Sequence, residues 1–343
     1  MRKSGVGVED KHIEVPLLTD NVIAESATMR EVMTMVEQIA LYPTTTVLLQ
    51  GESGTGKDVI ARAIHQLSRR AAYNFVGINC AALPETLLET ELFGVEAGAF
   101  TDAKASREGH LLRADGGTLL LDEIGTMPRV LQAKLLRFLE THSFHRVGST
   151  KEIHVDLRVI AATNADLQTA VAEGLFRDDL YYRLKVMTIT LPPLRERVED
   201  IEPLVTHFLQ LYGHDVAMRK EHVHITHITH AALKLLQQYS WPGNIRELRS
   251  VIQRGLIVCN GHELAPEDLP ENIRSSPLTS KERLWEIQQQ LHLPCDGIDL
   301  PAFLRNVEKT FIKEALERCD GNQSQAAILL GLSRDQLRYR LLA

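Results

Sequence analysis

Cysteine is scarce and unpatterned: Cys80, Cys259, Cys295 and Cys319 form no C-x-x-C pair. Such spacing gives neither a disulfide framework nor a cysteine-based zinc site, and it points to a cytoplasmic compartment. No apolar run approaches the roughly 18 residues of a membrane-crossing helix, and Met1-Arg2-Lys3-Ser4-Gly5 is not followed by a signal-peptide core. Excess positive charge is also missing. A formal charge of −7 excludes coating of nucleic acid through bulk charge, while leaving room for one small basic patch. What is present is an ordinary globular balance, 44% hydrophobic, 24% charged and 5% aromatic, in a chain long enough for two or three units with cores of their own.

The most informative stretch is Gly51-Glu52-Ser53-Gly54-Thr55-Gly56-Lys57-Asp58, between the apolar run Thr46–Leu49 and a helical pattern from Val59 to Leu67. A strand feeding a glycine-rich turn and then a helix points successive backbone N–H groups at a phosphate chain, and Lys57 adds a point charge for the β- and γ-phosphates. Asp58 stands where the general G-x-x-x-x-G-K-[ST] pattern supplies a magnesium-ligating hydroxyl, so metal ligation must come mostly from elsewhere.

Residues up to about Leu18 carry glycine and charge without periodicity and read as a loose arm, too short for a sensory domain. From Ser26 to Ala40, Met29, Val32, Met33, Val36, Ile39 and Ala40 recur at helical spacing. Phe75–Asn79 reads as a second buried strand whose polar end lies near the glycine-rich turn. Gly98-Ala99-Phe100-Thr101-Asp102-Ala103 reads as a surface turn, with Phe100 either a contact point or tucked back onto its own helix. Thr118-Leu119-Leu120-Leu121-Asp122-Glu123 is an apolar strand ending in two carboxylates, the first suited to Mg²⁺ and the second to polarising a water. Val155–Ala162 is another buried strand, ending in Thr163-Asn164, polar groups able to orient that water or the γ-phosphate.

Arg177 and Arg183 flank acids and tyrosines in FRDDLYYR, either as salt-bridged surface residues or as fingers acting on a neighbour's nucleotide. Leu191-Pro192-Pro193-Leu194 breaks the chain, and helical patterns follow at Ile201–Leu211, Ala231–Tyr239 and Ile245–Val258. His222, His224, His227 and His230 alternate with apolar residues in a loop-to-helix stretch, a weak case for a metal. The proline-punctuated Gly261–Pro301 reads as a linker with one short helix at Lys281–Leu291. An amphipathic helix at Phe303–Arg318 then precedes a helix, a Gly331 turn and a second helix. Ser333 and Gln336 fit a capping box, and Arg334, Gln336, Arg338, Tyr339 and Arg340 are donors for phosphates and base edges in a major groove.

Together these segments resemble the bacterial enhancer-binding proteins, the AAA+ activators of RNA polymerase carrying sigma-54. GESGTGKD, ELFG followed by GAFTDA, GGTLLLDEIG, FRDDLYYRL, LPPLRER, WPGNIREL and a terminal Fis-like helix-turn-helix stand in the family's order. The resemblance implies an α/β fold: an AAA+ P-loop sandwich with a parallel sheet, an α-helical lid subdomain and a small all-α helix-turn-helix domain. The divisions it implies are an arm at 1–18, the α/β ATPase subdomain at 19–192, the lid at 193–262, a linker at 263–300 and the DNA-binding domain at 301–343. An acid after the P-loop lysine is usual in this family, which accounts for Asp58.

By resemblance, Gly51 to Asp58 with Ile23 and Arg246 (sensor II) contact ATP, Asp122 holds Mg²⁺, Glu123 activates water, and Asn79 is a switch that holds Glu123 back. Thr163 and Asn164 resemble sensor I. Arg177 and Arg183 match arginine fingers acting on the neighbouring protomer, which implies a ring, usually a hexamer. Phe100 and Thr101 stand where the family touches sigma-54 through GAFTGA. Asp102 replaces the second glycine, removing backbone freedom and adding a negative charge. Implied partners are enhancer DNA, sigma-54 RNA polymerase and further copies of the chain; the short N-terminus means either a regulatory protein acting in trans or a sequence that is a piece of a longer protein. Two readings follow: an ATPase that remodels the closed complex of sigma-54 polymerase, or, motivated by Asp102, a regulator of other promoters in which ATP sets only the oligomeric state.

Overall fold

The computed structural model describes residues 22–99, 105–219, 225–259, 261–274, 308–316, 319, 322–330, 332, 336–338 and 340. The chain divides into two units, Met1–Pro277 and Leu278–Ala343. In the first, the strands are β1 (Val47–Gln50), β2 (Phe75–Asn79), β3 (Thr118–Asp122), β4 (Ser143–His145), β5 (Glu152–His154), β6 (Arg158–Thr163) and β7 (Met187–Thr190). The helices used below are α1 (Ala27–Ala40), α2 (Lys57–Gln66), α3 (Glu85–Phe93), α4 (His110–Arg113), α5 (Arg129–Thr141), α6 (Leu167–Ala172), α7 (Asp178–Leu184), α8 (Ile201–Arg219), α9 (His230–Gln238) and α10 (Asn244–Val258).

Five strands form one parallel sheet in the order β2-β3-β6-β1-β7, and β4 pairs antiparallel with β5. Alternate residues of each central strand serve opposite faces. Leu48, Leu119, Leu121, Val159 and Ala161 pack with Leu88, Leu92, Leu135, Phe138 and Leu180 from α3, α5 and α7. Val47, Leu49, Leu120, Ile160 and Ala162 pack with Met29, Val36, Ile60 and Ile64 from α1 and α2. Covering both faces is why these strands read as continuous apolar runs rather than alternating ones. The sheet puts β6 between β1 and β3, so the ends of the glycine-rich strand, the acidic strand and the Thr163 strand lie side by side.

Beyond Leu191, the helices α8, α9 and α10 close around Trp241, which is fully buried and donates its indole N–H to the Leu236 carbonyl at 2.7 Å. Leu264, Leu269 and Ile273 pack into the same core. The lid's packing therefore continues into the stretch read from its prolines as linker, because those apolar residues find a core the prolines do not interrupt. The Lys281–Leu291 helix lies outside the described residues.

The lid is tied to the start of α1 through Asp200, whose side chain is fully buried. It accepts from the backbone N–H groups of Glu25 and Ser26, both at 2.7 Å, and from the Ser26 hydroxyl at 2.9 Å. Ser26 in turn caps α1 by accepting from the Met29 N–H. Removing this carboxylate would orphan buried donors and the nearby Arg197 charge. Asp200→Ala is expected to cost about 3 kcal/mol and Asp200→Asn less, measured by urea unfolding of the whole chain; a loss under about 0.5 kcal/mol for the alanine variant would show that the tie carries no stability.

Candidate functional site

After β1 the backbone turns through Gly51, Gly54 and Gly56, with φ of +153°, +79° and +100°. Only glycine takes the latter two values without strain, and the turn delivers the chain into the N-terminus of α2. Lys57, the first residue of α2, is buried, and its ammonium donates to the Gly51 carbonyl at 2.8 Å and the Glu52 carbonyl at 3.1 Å. Burial lowers its pKa; the Glu123, Asp122 and Asp58 carboxylates oppose that shift while Arg246 adds to it. Lys57 thus sits in the field of three acids and one cation, as expected for a group that meets a polyanion.

Asp122 ends β3, and β-sheet register pairs it with Asn79 at the end of β2. One Asp122 oxygen accepts the Glu123 N–H at 3.0 Å; the other accepts the Asn79 amide at 3.3 Å. Glu123 has φ of +51°, a left-handed conformation that costs a non-glycine residue energy and is held by its surroundings. Its carboxylate accepts the Asn164 N–H at 3.4 Å. In this structure Asn79 thus bonds Asp122, the residue before Glu123. The reason is register: the strand partner of Asn79 is one residue short of the glutamate. Cys80, next along, is buried, and its thiol is pushed up to about 12, so it serves as an apolar residue.

Thr163 is buried at the end of β6, and its hydroxyl accepts the Ala165 N–H at 3.0 Å, whereas Asn164 is exposed. Of the two, Asn164 adjoins Glu123. From the lid, Arg246 on α10 donates to the Ser53 hydroxyl at 2.8 Å, and Arg195 makes two hydrogen bonds, 2.9 and 2.6 Å, to the Glu52 carboxylate. Arg195, followed by Asn244, holds the Glu52 pKa down to about 2. Ile23 is half-buried against the lid core. Two hard carboxylates beside an ammonium at adjoining strand ends form a donor set that suits Mg²⁺ completed by water and phosphate oxygens.

Comparison with known proteins decides what this site belongs to. A family description, "Sigma-54 interaction domain", matches residues 22–190; "AAA+ ATPase lid domain" matches 195–285 and "Bacterial regulatory protein, Fis family" matches 303–343. The regulatory protein AtoC of Escherichia coli is 47% identical over 337 residues, which cover 97% of this chain and 70% of AtoC. The chain belongs to the sigma-54-dependent transcriptional activators. It is an AAA+ ATPase. The transcriptional regulatory protein ZraR of Klebsiella oxytoca is 43% identical over 96% of this chain and 70% of its own. The solved structure of NtrX from Brucella abortus in complex with ATP superposes with a TM-score of 0.65 at 34% identity, covering 94% of this chain and 68% of that one.

The other residues singled out in this activator fall in distinct places. Gly98 and Ala99 are described, at the stem of the loop that carries GAFTDA; Phe100, Thr101, Asp102 and Ala103 lie outside the described residues. The stem is held by Val95, which bridges to Arg107 on its own loop and to Val147 before β5. Gly148 lies so close to Ala99 that a methyl group there would sit 2.4 Å from the Ala99 side chain. Arg177 makes a bidentate pair with Asp179 two residues on, at 3.0 and 2.7 Å, and Arg183 donates to the Leu139 carbonyl at 2.9 Å. The neighbouring fold is set by Gln132, fully buried, which bonds the Met127 and Leu175 carbonyls and accepts the Arg177 N–H.

In the C-terminal unit, Leu337 is buried with Ile312, Ala315, Ala326 and Ala327, while Gln336, Arg338 and Arg340 are exposed. Arg340 pairs with Glu308 at 2.8 Å, so it braces the domain as well as facing outward. Ser333, Arg334 and Tyr339 lie outside the described residues, as do His222 and His224. Among the described residues no group of three or more histidines, cysteines and carboxylates is placed to hold a metal ion.

Sequence reasoning missed Gln132, Arg195, Arg197 and Asn244 as site residues. The motifs LPPLRER and WPGNIREL contained three of them, but nothing local shows what they reach. A side chain at Gly54 would meet the Gly243 carbonyl at 2.4 Å while adopting φ of +79°. Gly54→Ala is therefore expected to weaken nucleotide binding at least about tenfold in a fluorescent-ADP titration; unchanged affinity would mean that the turn tolerates separation from the lid.

Proposed function

We propose that this protein binds enhancer DNA through its C-terminal domain, assembles into a hexameric ring, and uses ATP hydrolysis to remodel the closed complex of sigma-54 RNA polymerase. The observation that carries the reading is the meeting of Lys57, at the start of α2, with Asp122 and Glu123, at the end of β3, while Arg246 reaches over from the lid. On this reading the N–H groups of Gly54 to Lys57 hold the phosphates and Ile23 lies toward the base. Asp122 would hold Mg²⁺, which when bound neutralises charge between the β- and γ-phosphates. Glu123 takes the proton of the water that attacks the γ-phosphorus, with Asn164 fixing the carboxylate; the products are ADP, phosphate and a proton.

Arg177 and Arg183 act on the ATP of the next protomer, which requires the Arg177–Asp179 pair to open on assembly. Asn79 acts through Asp122. Phe100 and Thr101 deliver the stroke to sigma-54 from the braced stem, and Ser333, Arg334, Gln336, Arg338, Tyr339 and Arg340 supply the DNA-facing surface. Such a protein works in the cytoplasm.

The test is strand opening at a sigma-54 promoter, followed by permanganate reactivity with purified polymerase and ATP. Opening supports the reading; a closed complex that neither the wild type nor Asp102→Gly opens would favour a regulator of other promoters. For the chemistry, Glu123→Gln is expected to keep ATP binding within about threefold while turnover falls about 10² to 10⁴-fold, because the phosphates keep their cradle and the water loses its base. Near-normal turnover in that variant would place the base elsewhere.

A further inference from the structure

The phosphate-binding turn is held from outside by the lid. Three consecutive carbonyls are taken by lid donors: Ser53 by the Asn244 amide at 3.1 Å, Gly54 by the Ile245 N–H at 3.0 Å and Thr55 by the Arg197 guanidinium at 2.8 Å. Because a peptide's C=O and the following N–H point in opposite directions, capturing these carbonyls turns the N–H groups of Gly54, Thr55 and Gly56 the other way, toward the phosphate side. Asn244 does more than share in this. It is fully buried, in a left-handed conformation with φ of +51°, within the tight Trp241-Pro242-Gly243-Asn244 turn that starts α10. Its amide nitrogen also donates to the Glu52 carboxylate at 3.1 Å, and its oxygen accepts the Leu194 N–H at 2.7 Å. One side chain thus joins the P-loop, the segment that enters the lid and the helix that carries Arg246.

We propose that Asn244 is a positioning residue for the ATPase, whose amide locks the P-loop carbonyls onto the lid so that the phosphate cradle is formed before nucleotide arrives and is loosened whenever the lid turns. The proposal rests on residues 51–57 being the phosphate cradle. It assigns Asn244 no contact with nucleotide; Asn244 acts through Glu52 and Ser53.

Asn244→Asp separates this role from packing. It keeps the volume, the tolerance of positive φ and the acceptor for the Leu194 N–H, but removes the donors to Glu52 and Ser53 and sets a carboxylate beside Glu52. The expected result for the full chain is a KM for ATP raised about tenfold or more, with kcat at saturating ATP changed less than about threefold. Adding Glu52→Gln should bring KM back to within about threefold of wild type, since the glutamine amide can donate to the new carboxylate, whereas Glu52→Ala alone, which takes away the acceptor of the Asn244 amide, should raise KM about fivefold. A double variant that folds but keeps the raised KM overturns the proposal. So does Glu52→Ala alone with an unchanged KM, a result readable even if Asn244→Asp fails to fold, because Glu52 lies at the surface. Lys57→Ala serves as the separate control: if it still binds ATP, the cradle assignment itself fails, whatever Asn244 does.

Discussion

A backbone phosphate cradle works only if its N–H groups face inward, and a glycine-rich turn by itself has too much freedom to ensure that. Here the freedom is removed by hydrogen bonds on the opposite side of the same peptides, where Asn244, Ile245 and Arg197 hold the carbonyls of Ser53, Gly54 and Thr55. The close approach this needs explains why Gly54 has no side chain and faces Gly243. On the proposed reading it also makes lid position and phosphate binding one variable. The buried Asp200 then carries the same constraint to α1, so the start of the α/β unit, the P-loop and the lid share one polar seam.

The parallel sheet supplies the chemistry at the other end of Lys57. With β6 between β1 and β3, the acids of β3 and the polar end of β6 reach the lysine without any long connection. The left-handed Glu123 is held at its carboxylate by the Asn164 N–H, and Asn79 bonds Asp122. On the proposed reading, a change at Asn79 reaches the catalytic base only through Asp122 and the peptide between them.

Features set by a few neighbouring residues were legible before any coordinates. The glycine turn, the apolar strands ending in Asp122-Glu123 and Thr163-Asn164, and the helical faces of α1 and α10 all follow from local pattern, and they lie where that pattern put them. What depends on register or on distant contact was not. Asn79 reads as a residue near the glutamate, and only pairing with β3 reveals its partner. Asn244 reads as a polar residue beside Arg246, while its partners at Glu52 and Ser53 are nearly two hundred positions away. Prolines made Gly261–Pro301 read as linker although Leu264, Leu269 and Ile273 belong to the lid core. Arg340 reads as a DNA donor, and its bond to Glu308 depends on how the two helices meet.

Within one chain, Arg177 is paired with Asp179 and Arg183 with the Leu139 carbonyl. The central claim is that these arginines serve a neighbour, and the most direct test is ATP turnover per chain as a function of chain concentration, with assembly followed by sedimentation. Turnover per chain that rises steeply as rings form and then levels off is the expected result. Turnover per chain that stays constant down to concentrations where only monomers sediment would contradict it.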